Sequence, residues 1–213
     1  MNLKVVRKRT AYGVDKMNKR QNYTYLNSKY CRMGQTVLAG DSITEIYNHT
    51  ELFQEYTAKT GMAVYNRGIS GDTSDRLLER WADNVLSIKP KNIVLLIGTN
   101  DSAVGADASF VADNVKKIID MTKKDCPAAR LILEAVYPIN NKVRFWLKRS
   151  NKKIEEINSA LEVLAKKEGI TFIDLTSDLS DGNGCLNPDF TYDGLHLNAR
   201  GFEKVTDCLL EIL

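Results

Sequence analysis

Ser42 stands in the run Gly40-Asp41-Ser42-Ile43-Thr44, just after an apolar stretch, and His196 stands in Asp193-Gly194-Leu195-His196 near the C-terminus. A serine hydroxyl is a poor nucleophile until an adjacent base takes its proton. The chain has two histidines. His49 lies seven residues beyond Ser42 on what reads as one helix, a rise of roughly 10 Å that puts it out of hydrogen-bond reach. That leaves His196, which only the fold can bring to Ser42. Asp193 precedes it by three residues, so a tight turn can aim the carboxylate at the imidazole Nδ1–H. The carboxylate would fix the tautomer and stabilise the imidazolium. Such a set could carry acyl transfer.

Acyl transfer also needs donors for a developing oxyanion, usually the largest catalytic contribution. Gly68 follows the strand-like Ala63-Val64-Tyr65, where a glycine allows close backbone approach. Asn100, in Gly98-Thr99-Asn100-Asp101, follows the apolar run Ile93–Ile97 and offers a neutral amide. The backbone N–H of Ser42, at a helix start, is the third candidate.

These blocks resemble those of the SGNH hydrolases, also called the GDSL esterases and lipases. Gly40-Asp41-Ser42 is similar to the first block, with Ile43 where the family name has leucine. Asn66-Arg67-Gly68-Ile69-Ser70-Gly71 is similar to the second, Gly98-Thr99-Asn100-Asp101 to the third and Asp193-Gly194-Leu195-His196 to the fifth. The likeness runs from about Thr36 to the C-terminus. It is greatest to the branch of platelet-activating-factor acetylhydrolase-like subunits and bacterial acetylesterases. The resemblance implies a three-layer α/β/α flavodoxin-like fold with a five-stranded parallel sheet in order 2-1-3-4-5. It also implies a serine esterase without a cofactor, acting on short-chain esters, acetyl foremost, carried by a carbohydrate or small lipid. A lysophospholipase or thioesterase is the alternative, and relatives in this branch often pair as homodimers.

The elements that must position these residues follow from pattern. Short apolar strands alternate with helical stretches, as in a parallel sheet covered on both faces. Strands are expected at Thr36–Ala39, Ala63–Tyr65, Asn92–Ile97, Arg130–Val136 and Thr171–Leu175. Helices are expected at Ile43–Lys59, Asp72–Ser87, Asp107–Lys124, Arg149–Glu168 and Ala199–Ile212, with Thr73 or Asp72 capping the second. Ile154, Ile157, Leu161 and Leu164 form a core-facing stripe. The site then belongs at the carboxyl ends of the strands. Between the fourth strand and fourth helix, Phe145 and Trp146 either flank a substrate pocket with Asp41 or begin the helix and pack inward.

Residues 1–35 read as a basic, tyrosine-containing extension and 36–213 as one hydrolase domain. Residues 1–36 carry Lys4, Arg7, Lys8, Arg9, Lys16, Lys19, Arg20, Lys29 and Arg32 against Asp15 alone, or +8, while the whole chain is +3. The head could meet an anionic surface, but its basic residues are interrupted and no nucleic-acid motif accompanies them. A solvated leader packing Tyr23, Tyr25, Leu26 and Tyr30 on the domain edge is favoured. No stretch is long and apolar enough for a membrane span, and no apolar segment follows the basic start as in a secretory signal. The cytoplasm is therefore the expected address. Cys31, Cys126, Cys185 and Cys208 lack metal or redox spacing and read as free thiols.

Each site residue has a duller reading. Ser42 could cap a helix, Gly68 and Gly71 could be turn glycines, Asn100 a loop amide, and His196 a buried structural histidine. Jointly these fare poorly, because four ordered blocks would have to converge by accident. Asp41 and Asp101 are expected to bond loop backbone, since a charge beside the nucleophile would oppose an oxyanion. No close ligand pair suggests a metal. A non-catalytic acyl-binding module and a phosphate binder at Ser42 remain the other classes, and the second lacks a lysine in the loop.

Overall fold

The computed structural model describes residues 3–146 and 148–213, with side chains from Lys16 onward; the basic side chains at 4, 7, 8 and 9 lie outside the described ones. Helix α1 (Leu3–Lys29) leads into strand β1 (Thr36–Gly40), then short helices α2 (Ser42–Glu45), α3 (His49–Leu52) and α4 (Gln54–Thr60). Strand β2 (Val64–Gly68), helix α5 (Ser74–Glu79), β3 (Asn92–Leu96), α6 (Thr99–Val104) and α7 (Ala108–Asp125) follow. Strand β4 (Arg130–Glu134), α8 (Asn151–Glu168), β5 (Thr171–Ile173) and α9 (Ala199–Ile212) complete the chain.

All five strands are parallel in the order β2-β1-β3-β4-β5, flanked by helices. Every residue of β1 and β3 is buried, which is why both read as unbroken apolar runs rather than alternating ones. Register decides where the site sits. Gly40, the last residue of β1, pairs with Gly68 on one side and Leu96 on the other. The segments after β1, β2 and β3 therefore leave the sheet side by side. A Cβ at Gly40 would strike Thr44 and the Leu96 carbonyl, and one at Gly68 would strike the α2 backbone. Glycine at both positions lets α2 press onto the strand ends. Helices α5, α7 and α8 pack in a row, and α3 meets α9. Ile154, Ile157 and Leu161 are buried as expected, with Leu164 half-buried.

Three expectations are corrected. The stretch expected as one helix over Ile43–Lys59 is three short helices. After α2 the Tyr47 side chain turns inward, stacking on Phe202 at 4.4 Å and bonding Thr206 at 2.7 Å. The second helix stops at Glu79 and continues as a π turn (Trp81–Val85) and a 3-10 turn, which buries Trp81 completely and gives its indole N–H a bond to Thr122. The fourth helix begins at Asn151, capped by Ser150, so Phe145 and Trp146 do not start it.

The N-terminal stretch is a helix whose Tyr23 is buried and Leu26 half-buried, whereas Tyr25 and Tyr30 face solvent edge to face. The four cysteines are free thiols. Among the described residues, no helix is long and apolar enough to cross a membrane.

Candidate active site

The turn between Thr191 and His196 is fixed by its own backbone. Thr191 Oγ1 accepts from the Asp193 and Gly194 N–H groups at 3.2 and 2.9 Å and donates to the His196 carbonyl at 2.6 Å. Gly194 has φ 81°, and a Cβ there would strike the Asn140 carbonyl, so this position requires glycine. Asp193 Oδ1 accepts from the N–H groups of Leu195 and His196 at 3.0 and 2.9 Å, leaving Oδ2 for the ring.

Across the strand ends, His196 Nδ1 lies 2.9 Å from Asp193 Oδ2 and Nε2 lies 2.9 Å from Ser42 Oγ. With Nδ1–H donating to the carboxylate, Nε2 is free to accept the serine proton. Partial burial alone would raise the Asp193 carboxyl. The bonds from the His196 backbone and ring, with Leu195 N–H, outweigh it and hold it below the usual carboxylate value. His49 instead places Nδ1 3.1 Å from the Tyr47 carbonyl.

Asn100 is not in a loop but in the first turn of α6. Its Nδ2 donates to the Asp72 carbonyl at 3.0 Å and reaches Asp41 Oδ2 at 3.3 Å, while Oδ1 accepts from Arg149 Nη2 at 2.8 Å. Asp41 is buried, and Oδ1 accepts from Ile43 N–H at 2.9 Å. Desolvation pushes its carboxyl up to about 7. It therefore sits behind the site as an N-cap rather than lining a pocket. Asp101 also bonds backbone, as expected, accepting from Ser74 N–H and Oγ. Thr73 stands at the N-cap position of α5 as expected but makes no side-chain cap bond, and the Asp101 carboxylate takes the Ser74 N–H instead.

Gly68 does not present a free donor. Its N–H bonds Asn66 Oδ1 at 2.8 Å, and its carbonyl accepts from Tyr23 at 2.8 Å. Three residues on, Gly71 turns at φ 71°. Among the described residues its N–H has no hydrogen-bond partner. Gly71, Asn100 and Arg149 share the wall of an open pocket of about 630 Å³ with Phe110 and Val104. The sequence held one clue to Gly71: a second glycine directly before the helix-starting Asp72-Thr73-Ser74.

Trp146 donates Nε1–H to the Asp193 carbonyl at 2.8 Å and packs edge-on against His196 at 5.8 Å. Phe145 is exposed. Arg80 pairs with Asp72 at 2.7 Å and donates to the Gly40 carbonyl at 3.0 Å. Lys16 of α1 lies 3.2 Å from the same Asp72.

The GDSL-like Lipase/Acylhydrolase family pattern matches residues 38–204. The chain is 27% identical over 212 residues to N-acylneuraminate cytidylyltransferase of Escherichia coli, covering 95% of this chain. It spans only 48% of that relative's length. It is 26% identical over 208 residues to the isoamyl acetate-hydrolyzing esterase of Saccharomyces cerevisiae, covering 83% of this chain and 84% of that one. A solved structure from Streptococcus pneumonia, provisionally called a platelet activating factor, superposes with a TM-score of 0.88 at 28% identity over 99% of both chains. Because the family match takes in well over half of the chain, from within β1 into α9, the protein belongs to the GDSL-like lipase/acylhydrolase family.

Proposed function

We propose that Ser42 is the nucleophile of a serine esterase, with His196 as general base and Asp193 as the orienting carboxylate. The observation that carries this reading is the continuous hydrogen-bonded line from Asp193 Oδ2 through His196 to Ser42 Oγ, 2.9 Å at each step. Ser42 Oγ attacks the ester carbonyl while His196 Nε2 takes its proton, and the carbonyl electron pair moves to oxygen. The tetrahedral intermediate collapses, Nε2 returns the proton to the leaving alcohol, and an acyl-serine remains. Water, deprotonated by the same nitrogen, then releases the carboxylic acid and regenerates the hydroxyl.

Three donors are assigned to the oxyanion: Ser42 N–H, Asn100 Nδ2–H and Gly71 N–H. Gly71 replaces the expected Gly68, whose N–H is engaged by Asn66. The Nδ2–H of Asn100 that reaches Asp41 only at 3.3 Å is the one released to substrate. Asn100→Ala should fold normally and lose about 10²–10³ in turnover.

The substrate we favour carries a short acyl group, acetyl first. A single small domain spares little chain for a lid over a long acyl chain, and one relative is named for hydrolysing isoamyl acetate. A carbohydrate leaving group fits the exposed Phe145 ring, which precedes in sequence the Trp146 that packs on His196. The likeness to a protein named for N-acylneuraminate agrees with it.

The test is hydrolysis of p-nitrophenyl acetate, butyrate and octanoate by wild type and Ser42→Ala. Acetate turnover abolished in the variant and a steep fall with chain length are expected. Retained turnover in Ser42→Ala would remove the serine mechanism. A flat chain-length profile would remove the acetyl preference. Labelling by a fluorophosphonate should likewise require Ser42; an unlabelled wild type would favour a binding module.

A further inference from the structure

Arg149 lies outside the four sequence blocks yet touches the site from the far side of the pocket. Its Nη2 donates to Asn100 Oδ1 at 2.8 Å and its Nε reaches the Thr99 carbonyl at 3.3 Å. The guanidinium stands 5.4 Å from the Trp146 ring centre, the same indole that bonds Asp193 and abuts His196. The preceding residue, Lys148, is held at φ 69°. That left-handed conformation is unfavourable for a side-chain-bearing residue, and such strain persists only where the surroundings enforce it. The Trp146–Arg149 N–H···O bond at 3.2 Å closes this turn and delivers the guanidinium to Asn100.

An asparagine amide can present either its oxygen or its nitrogen, and only the nitrogen can serve an oxyanion. Two acceptors, Asp41 Oδ2 and the Asp72 carbonyl, face one end of Asn100. A permanent cation faces the other. A flipped amide would set oxygen against two acceptors and N–H against the guanidinium. A charge-assisted bond to Oδ1 also draws electron density from nitrogen, which makes the Nδ2–H groups stronger donors.

We propose that Arg149 is a positioning residue of the oxyanion hole, turning and polarising the Asn100 amide, and that Trp146 ties it to the Asp193–His196 turn. This rests on the reading of Ser42 as nucleophile and Asn100 as oxyanion donor. Arg149 acts through Asn100, so its effect belongs in kcat and vanishes when Asn100 has no amide.

The experiment is p-nitrophenyl acetate kinetics for wild type, Ser42→Ala, Asn100→Ala, Arg149→Met, Arg149→Lys and the Asn100→Ala/Arg149→Met double variant, with a thermal melt of each. Arg149→Met should lower kcat by about 10- to 100-fold, less than outright loss of an oxyanion donor, with KM within about twofold of wild type. Arg149→Lys, which keeps a cationic donor for Oδ1, should recover part of the loss. In the Asn100→Ala background, Arg149→Met should change kcat by no more than about twofold, the signature of two residues acting as one unit. An equal fall in that background, or a change confined to KM, would overturn the proposal while Ser42→Ala remained inactive and the serine reading stood. An active Ser42→Ala would instead remove the reading beneath it. If Arg149→Met melts early, Arg149→Lys decides. Its expected result is a kcat above that of Arg149→Met; a wild-type melt with no such recovery counts against the proposal.

Discussion

The Glu134 carboxyl closes β4 deep in the core, and among the described residues its side chain has one hydrogen bond, 2.8 Å from the Tyr137 hydroxyl. Leu38, Ile43, Tyr47 and Phe202 surround the same spot. Desolvation there pushes the carboxyl from 4.5 to about 7 against the opposing Tyr137 bond. The folded protein thus keeps a proton between pH 4.5 and 7 that the unfolded chain releases. Stability falls as pH rises through that window and levels off above it, by about 3 kcal/mol in all. Urea denaturation from pH 5 to 8 should show this decline in wild type and a shallower one in Glu134→Gln. Parallel curves would mean that Glu134 is ionised in the fold. None of this could be seen in the sequence, where Glu134 is one acidic letter after an apolar run. Ser42, Asp193 and His196 were legible because nucleophilic chemistry admits few residue types and the chain offers two histidines. Gly71 and Arg149 were not, since a free N–H and a contact across 49 residues exist only once the chain is folded.

Helix α1 is the element that sequence pattern concealed. It carries no continuous apolar stripe, and among the described residues its hold on the domain is mostly polar, a signature that periodicity does not register. Tyr23 donates to the Gly68 carbonyl, Lys19 pairs with Glu45, and Glu45 in turn accepts from Ser70 N–H. Burial would raise the Glu45 carboxyl, but the Lys19 and Ser70 bonds outweigh it and lower it. Both contacts bear on the segment from Gly68 to Gly71, so α1 braces the loop assigned here to the oxyanion. Tyr23→Phe leaves the Gly68 carbonyl without that donor and should cost about 1–3 kcal/mol of stability. It should also lower kcat for p-nitrophenyl acetate more than it raises KM. Unchanged kcat alongside the stability loss would mean that α1 supports the sheet but not the loop. Strands β1, β3 and β4, by contrast, were readable to within two residues, because buried parallel strands read as continuous apolar runs, whereas β2 runs on through Asn66 and Arg67 to Gly68. The break after α2 was hidden because the inward turn of Tyr47 onto Phe202 joins residues far apart in sequence.

At the scale of the molecule, the strand order implied by resemblance is the observed one, and the register of Gly40 with Gly68 and Leu96 explains why the blocks meet. What the blocks do not reveal is how their rear is tied together. Asp72 is completely buried and is shared by Arg80 at 2.7 Å and Lys16 at 3.2 Å. Arg80 continues to the Gly40 carbonyl, and the Asp72 carbonyl holds Asn100. One ionic cluster therefore links α1, the end of β1, the turn before α5 and the start of α6. Desolvation pulls the Arg80 guanidinium below its usual value against the pull of Asp72, so the pair is held by mutual charge rather than by solvent. Removing one partner strands the other, which typically costs 3–5 kcal/mol, roughly, whereas replacing both with apolar groups costs far less. Asp72→Leu should accordingly destabilise the whole domain by about that amount, and Asp72→Leu/Arg80→Met should recover much of it. Equilibrium denaturation in urea decides, provided the slope stays that of wild type. Equal losses in the single and double variants would mean that the cluster is ordinary packing. If the double variant regains stability but not turnover, the cluster's contribution is to hold the Gly40, Asp72 and Asn100 segments in catalytic register.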